Sequence, residues 1–206
     1  TGRWGNEKLS LVMFLIRMNR YDALFTPGIY FIVGYDDAQG GNMQFIDLKS
    51  QYERIQDDVN NRVLKVLESQ RYIMGPEVRE VEEKLADFAG TKYAFTCGSG
   101  TDALVIALMA YDLKPTDAVF VPSFTFFASA EAITLAGGTP VFVDVDSGTF
   151  NMDPDDLQEK IDEVIQRGDL SPKGIVAVDL FGRLADYERI CTIAHEYDMF
   201  VVEDAC

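Results

Sequence analysis

Residues 93–104 read Tyr93-Ala94-Phe95-Thr96-Cys97-Gly98-Ser99-Gly100-Thr101-Asp102-Ala103-Leu104. An apolar run suited to a strand passes through a turn of small residues straight into an apolar stretch at helical spacing. Such a unit opens an α/β sheet if the pattern repeats. It repeats toward the C-terminus, where short apolar runs at 118–121, 141–145, 175–180 and 200–203 are separated by helical stretches. Strands that are apolar throughout, rather than alternating, predict a parallel sheet covered by helices on both faces. In such sheets ligands bind beyond the carboxyl ends of the strands, so the chemistry is sought in the residues just after each run.

Helices are marked by period and by punctuation. Ile55, Val59, Val63, Val66 and Leu67 recur at helical spacing, and a turn follows at Gly75-Pro76. A second stripe, Val78, Val81, Leu85 and Phe88, ends at Gly90 as a C-terminal cap. Asp153 followed by Pro154 reads as an N-cap with proline in the first turn, ahead of Leu157, Ile161, Val164 and Ile165. The acidic run 153–156 is then a solvated helix start rather than a metal site.

The chain has 206 residues, 48% of them apolar, enough for one substantial core. Basic residues number 18 against 34 acidic ones, a net charge of -16 that repels polyanions. Nucleic acid is thereby disfavoured as a partner, and a phosphate ligand needs a local site of backbone N–H groups. Cys97, Cys191 and Cys206 have no metal-like spacing, and two of them sit in apolar stretches that read as core. A reduced cytoplasm fits that usage. Residues 1–42 differ from the rest: the apolar run Leu11–Ile16 is too short to span a bilayer and is followed by Arg17 and Arg20. We read 1–42 as a non-native upstream translation or a disordered extension, with Met43 as the start. The stretch Gln39-Gly40-Gly41-Asn42-Met43 is compatible with a ribosome-binding sequence ahead of a start codon. The underlying DNA tests this.

Each strand end offers a candidate. Gly98-Ser99-Gly100-Thr101 opens a helix, and free N–H groups there, backed by the helix dipole, bind phosphate without a basic side chain. An ordinary capped loop has the same composition. The spacing does not match a dinucleotide fingerprint, and Walker-type Gly-Lys-Ser/Thr is absent. Pro122-Ser123-Phe124-Thr125-Phe126-Phe127 places aromatic rings at the same edge, for core packing or for stacking on a planar ligand. The last run ends Val201-Val202-Glu203-Asp204, so an apolar strand delivers a carboxylate to that edge. A buried aspartate needs a cation or hydrogen bonds, and a protonated pyridine nitrogen is one such cation. The alternative is an aspartate capping the next helix. His195, the only histidine, reads as a surface or packing residue on a helix.

Together these elements resemble the DegT/DnrJ/StrS-type sugar aminotransferases, fold-type I enzymes dependent on pyridoxal 5'-phosphate (PLP). The resemblance is carried by Phe45-Ile46-Asp47-Leu48, Tyr72–Glu77, Gly98–Leu104, Pro122–Ala128, Pro140–Asp146, Asn151–Pro154, Val178–Gly182 and Glu203–Cys206, in family order over residues 43–206. The opening and the Tyr72–Glu77 stretch look most like members that aminate UDP-2-acetamido-2-deoxy-3-oxo-glucuronate. The resemblance implies an aspartate aminotransferase-like α/β large domain, present in part. It implies cofactor contacts from Gly100 and Thr101 to the phosphate, Phe126 against the pyridine face and Asp204 at the pyridine nitrogen. The implied activity is transfer of an amino group, usually from glutamate, to a keto group of a nucleotide-linked sugar. Such chemistry serves amino-sugar or cell-surface polysaccharide biosynthesis, in a cytoplasmic homodimer. The Schiff-base lysine would fall beyond Cys206, so no residue of this chain matches the catalytic one and the chain alone is expected to be inactive. Gly182-Arg183-Leu184-Ala185-Asp186 departs from the family pattern.

Three other readings remain open at this point. A related PLP-dependent sugar dehydratase carries histidine in place of the lysine. A non-catalytic relative would regulate a partner. A nucleotide-binding Rossmann domain is disfavoured by the glycine spacing and by the lack of an acidic residue at the strand end near Val121.

Overall fold

The structure, a computed structural model, describes residues 47–205. The expectations for residues 1–42, the start at Met43 and the environment of Cys206 lie outside these residues. The described chain divides between Arg79 and Glu80 into two compact units. The first carries helix α1, Leu48–Ser69. Its N-cap Asp47 accepts a hydrogen bond from the Ser50 N–H at 3.0 Å, satisfying one of the donors every helix start leaves free. The predicted stripe is helical, yet Ile55, Val63 and Leu67 are exposed, because amphipathic spacing specifies a helix and not what covers it. Helix α2, Pro76–Ala89, starts in this unit and ends in the next, where Gly90 takes up the left-handed φ of 65° that a C-terminal cap requires.

The second unit runs α3 (Gly100–Met109), β1 (Asp117–Pro122), α4 (Phe127–Leu135), β2 (Thr139–Val143), α5 (Pro154–Arg167) and β3 (Ser171–Val178). A short 3-10 turn (Leu180–Gly182), α6 (Tyr187–Glu196) and β4 (Phe200–Asp204) follow. The strands form a wholly parallel sheet in the order β2-β1-β3-β4. As the punctuation predicts, Asp153 caps α5 through the Asp155 N–H at 2.9 Å with Pro154 in the first turn; Gly168 closes that helix at a φ of 70°.

Each strand sends alternate side chains to opposite faces, so an unbroken apolar run serves two cores at once. Ala118, Phe120, Ile175 and Ala177 pack on one face with Leu157, Ile161 and Val164 of α5 and with Ile190, Ile193 and Ala194 of α6. Val119, Val121, Val176 and Val202 pack on the other with Ala103, Leu104 and Leu108 of α3 and with Ala132 and Ile133 of α4. Between β3 and β4, a Cβ on Gly174 would lie 2.1 Å from the Phe200 ring, which also stacks on Tyr111 at 3.7 Å.

Three expectations need correction. Tyr93–Cys97 is not a strand among the described residues. No neighbouring strand supplies it with a ladder, and the Thr96 N–H donates instead to the Glu82 carboxylate at 2.9 Å. The run expected to continue to Leu180 ends as a strand at Val178, where the backbone turns into the 3-10 segment. Cys97 and Cys191 are exposed rather than in the core. No helix of the described residues is long and apolar enough to cross a membrane.

Candidate functional site

Because every strand pairing is parallel, the loops after β1, β2 and β3 and the end of β4 share one edge of the sheet. Asp204 closes β4 there and is only 5% exposed. Its Oδ2 accepts a 2.7 Å hydrogen bond from the Ser129 hydroxyl, which comes from the first turn of α4. Burial raises the Asp204 carboxyl above its ordinary range; the Ser129 hydrogen bond opposes that shift, and the charge of Asp179 adds to it.

Asp179, just past β3, is also buried. Its N–H donates to the Asp204 carbonyl at 3.0 Å, which locks the two strand ends side by side. Its Oδ1 accepts from the Ala185 N–H at 2.9 Å and from the Tyr187 hydroxyl at 3.0 Å, pinning the turn that follows. Burial, with the nearby charges of Asp179 and Glu203, pushes the Tyr187 hydroxyl far above its usual range, so it stays a donor. Burial and then Asp179 raise the Glu203 carboxyl as well. Among the described residues no lysine or arginine forms an ion pair with Asp179, Glu203 or Asp204. A buried carboxylate so placed favours a cation brought by a ligand.

Helix α3 packs against α4 and β4 and so brings its N-terminus to the same unit. Ser99, in extended backbone, accepts from the Asp102 N–H at 3.1 Å through its side chain, and its carbonyl accepts from the Ala103 N–H at 3.1 Å. The N–H groups of Gly100 and Thr101 are left without a protein acceptor among the described residues. Those donors and the dipole behind them suit a phosphate, although Asp102 adds a carboxylate to the same turn. A Cβ at Gly98 would stand 2.9 Å from that carboxylate, so a side chain there would require Asp102 to shift.

Phe126 precedes α4 in extended backbone, with its carbonyl accepting from the Ser129 N–H at 3.1 Å, and is 73% exposed. Phe124 and Phe127 are exposed too, so this loop does not pack into the core. Phe126 and Asp204 are thus joined through Ser129, and Gly100 and Thr101 open the helix packed beside them. Together they offer a buried carboxylate, backbone N–H donors and an exposed aromatic face, groups whose chemistry suits a flat ring with a positive charge and a phosphate. His195 is exposed in the last turn of α6, away from this edge of the sheet.

A four-stranded parallel sheet with helices on both faces and a carboxylate at its carboxyl edge is the architecture of fold-type I PLP-dependent transferases, here in the part belonging to the large domain. Residues 53–206 match the DegT/DnrJ/EryC1/StrS aminotransferase family, and the chain belongs to it. The chain is 44% identical over 163 residues to the UDP-2-acetamido-2-deoxy-3-oxo-D-glucuronate aminotransferase of Pseudomonas aeruginosa, covering 79% of this chain and 44% of that one. A DegT DnrJ EryC1 StrS aminotransferase structure from Brucella abortus superposes with a TM-score of 0.76 at 48% identity, covering 79% of this chain and 43% of that one. NtdA from Bacillus subtilis with bound cofactor PMP superposes with a TM-score of 0.67 at 34% identity, covering 74% and 34%. The chain therefore spans less than half the length of these relatives.

Sequence reasoning missed Ser129 and Asp179, which touch Asp204, and Thr125 and Tyr187, which bond to those two in turn. Asp179 carried the same signal as Asp204, a carboxylate ending an apolar run, but was hidden by extending that run to Leu180. Ser129 sits three residues after Phe126, one helical turn into α4, and nothing local in the sequence points from it to Asp204.

Proposed function

We propose that the protein carrying this chain is a PLP-dependent aminotransferase that moves an amino group from a donor such as glutamate to a keto group of a nucleotide-linked sugar. The observation that carries this is the buried, cation-free Asp204 at the carboxyl edge of the sheet. Family membership and the relatives' names support it; the Pseudomonas aeruginosa relative makes a UDP-linked 3-oxo-glucuronic acid derivative the first substrate to try.

PLP supplies an electron sink, a pyridine ring able to delocalise the charge left when a C–H bond beside nitrogen is broken. In our reading Asp204 binds the ring at its protonated nitrogen and keeps that proton in place. Gly100 and Thr101 hold the phosphate through backbone N–H groups, with the Thr101 hydroxyl as a further donor. Phe126 covers one ring face and excludes water from it. The protein works as a cytoplasmic homodimer in amino-sugar biosynthesis.

The test is to add PLP to the intact protein, follow the visible absorption of the bound cofactor, and assay amino transfer from glutamate to the UDP-linked 3-oxo sugar. Binding with an aminated sugar product is the expected result. A protein that binds no PLP overturns the proposal, and a deoxygenated product in place of an aminated one would make it a dehydratase.

A further inference from the structure

We propose that Ser129 is a positioning residue for Asp204, the end of a directed hydroxyl chain, Thr125 to Ser129 to Asp204, that aims the carboxylate and leaves its second oxygen for a cationic ring. This rests on the reading of Asp204 given above. The direction follows from counting protons. Ser129 has one hydroxyl hydrogen and is 1% exposed. That hydrogen goes to Asp204 Oδ2 at 2.7 Å. The contact of 3.0 Å between Thr125 Oγ1 and Ser129 Oγ must then be donated by Thr125.

Two hydroxyls donating in series polarise one another, and the second faces a charged acceptor, the strongest kind of hydrogen bond for its size. The chain opposes two influences that disfavour the carboxylate, its burial and the neighbouring charge of Asp179. It also fixes geometry. The Asp179 N–H holds the backbone of Asp204 through its carbonyl, Ser129 holds Oδ2 of the side chain, and Oδ1 accepts no protein hydrogen bond among those of the described residues. Ser129 needs no contact with the ring to do this.

The test uses the intact protein and two ligands, PLP and its 1-deaza analogue, in which a C–H replaces the ring nitrogen so that Asp204 has no cation to hold. Equilibrium dialysis gives both affinities, and the ratio between them reads the Asp204 contact alone. Ser129→Ala is expected to reduce the preference for PLP about tenfold, as for loss of a hydrogen bond to a charged group, while the analogue's affinity stays within about twofold. Thr125→Val reduces the preference in the same direction by less.

An equal loss for both ligands makes Ser129 an ordinary packing residue and overturns the proposal, as does an unchanged ratio. If Ser129→Ala fails to fold, Ser129→Cys, similar in shape but a weak donor, gives the same reading. Asp204→Asn separates the two levels. If it abolishes the preference and Ser129→Ala does not change it, only the inference about Ser129 falls. If Asp204→Asn leaves the preference intact, the role given to Asp204 falls with it.

Discussion

Replacing Asp204 by asparagine should strengthen the cofactor-free protein and weaken its hold on PLP, two effects of opposite sign from one atom. Asparagine keeps the shape of aspartate and still offers an oxygen to the Ser129 hydroxyl, so the 2.7 Å contact is retained. What disappears is a charge that is buried, unpaired by any described cation and close to that of Asp179. Neutralising such a charge is worth on the order of 1–4 kcal/mol. The pH dependence fixes the sign. The folded-state pKa of Asp204 is raised above the ordinary 3.8, so this group's contribution to stability is fully present below 3.8 and is lost as pH rises through the folded value. The advantage of Asp204→Asn is therefore largest at neutral pH and closes as pH falls toward that of an ordinary carboxylate. Urea denaturation of both proteins without cofactor at pH 7, 6 and 5 measures it. With PLP present, losing one partner of a buried charge pair costs roughly 3–5 kcal/mol, or about two to four orders of magnitude in Kd. An Asp204→Asn protein that is less stable than the parent at pH 7, or whose advantage grows on acidification, would refute the reasoning.

Phe126→Ala should leave the denaturation midpoint almost unchanged, within about 0.5 kcal/mol for so exposed a side chain, yet weaken PLP binding several-fold by removing a stacking face. Matched denaturation and binding curves check both halves. Gly174→Ala drives a methyl into the Phe200 ring, which Tyr111 prevents from retreating, and is expected to cost about 1–3 kcal/mol; Phe200→Leu in the same chain should recover part of the loss. Tyr187→Phe removes a 3.0 Å donor from buried Asp179 and should destabilise by about 1–3 kcal/mol, measured by urea denaturation at neutral pH.

The parallel sheet was legible because β1 and β3 are buried on both faces, which demands apolar residues at every position and writes a continuous run into the sequence. The start of α5 was legible for a local reason too, since Asp153 and Pro154 each satisfy a need of the helix start itself. Tyr93–Cys97 shows the limit. Its composition suits a strand, but a strand exists only through a partner, and the partner is not a property of the run. The site followed the same division. Asp204 stood out by ending an apolar run, whereas Ser129 acquires its meaning from a residue 75 positions away. The exposure of Phe126 was equally illegible, since a loop rich in phenylalanine reads alike whether it packs inward or faces solvent.

That 75-residue span between Ser129 and Asp204 also bears on the order in which the molecule assembles. Closing it requires β1, β3 and β4 to be in register, which predicts that the carboxylate acquires its partner late on the folding route, after the slow long-range pairings are made. A ligand that grips Asp204 then recognises the finished sheet and no earlier form. It would raise stability by mass action and slow unfolding, while leaving the refolding rate independent of ligand concentration.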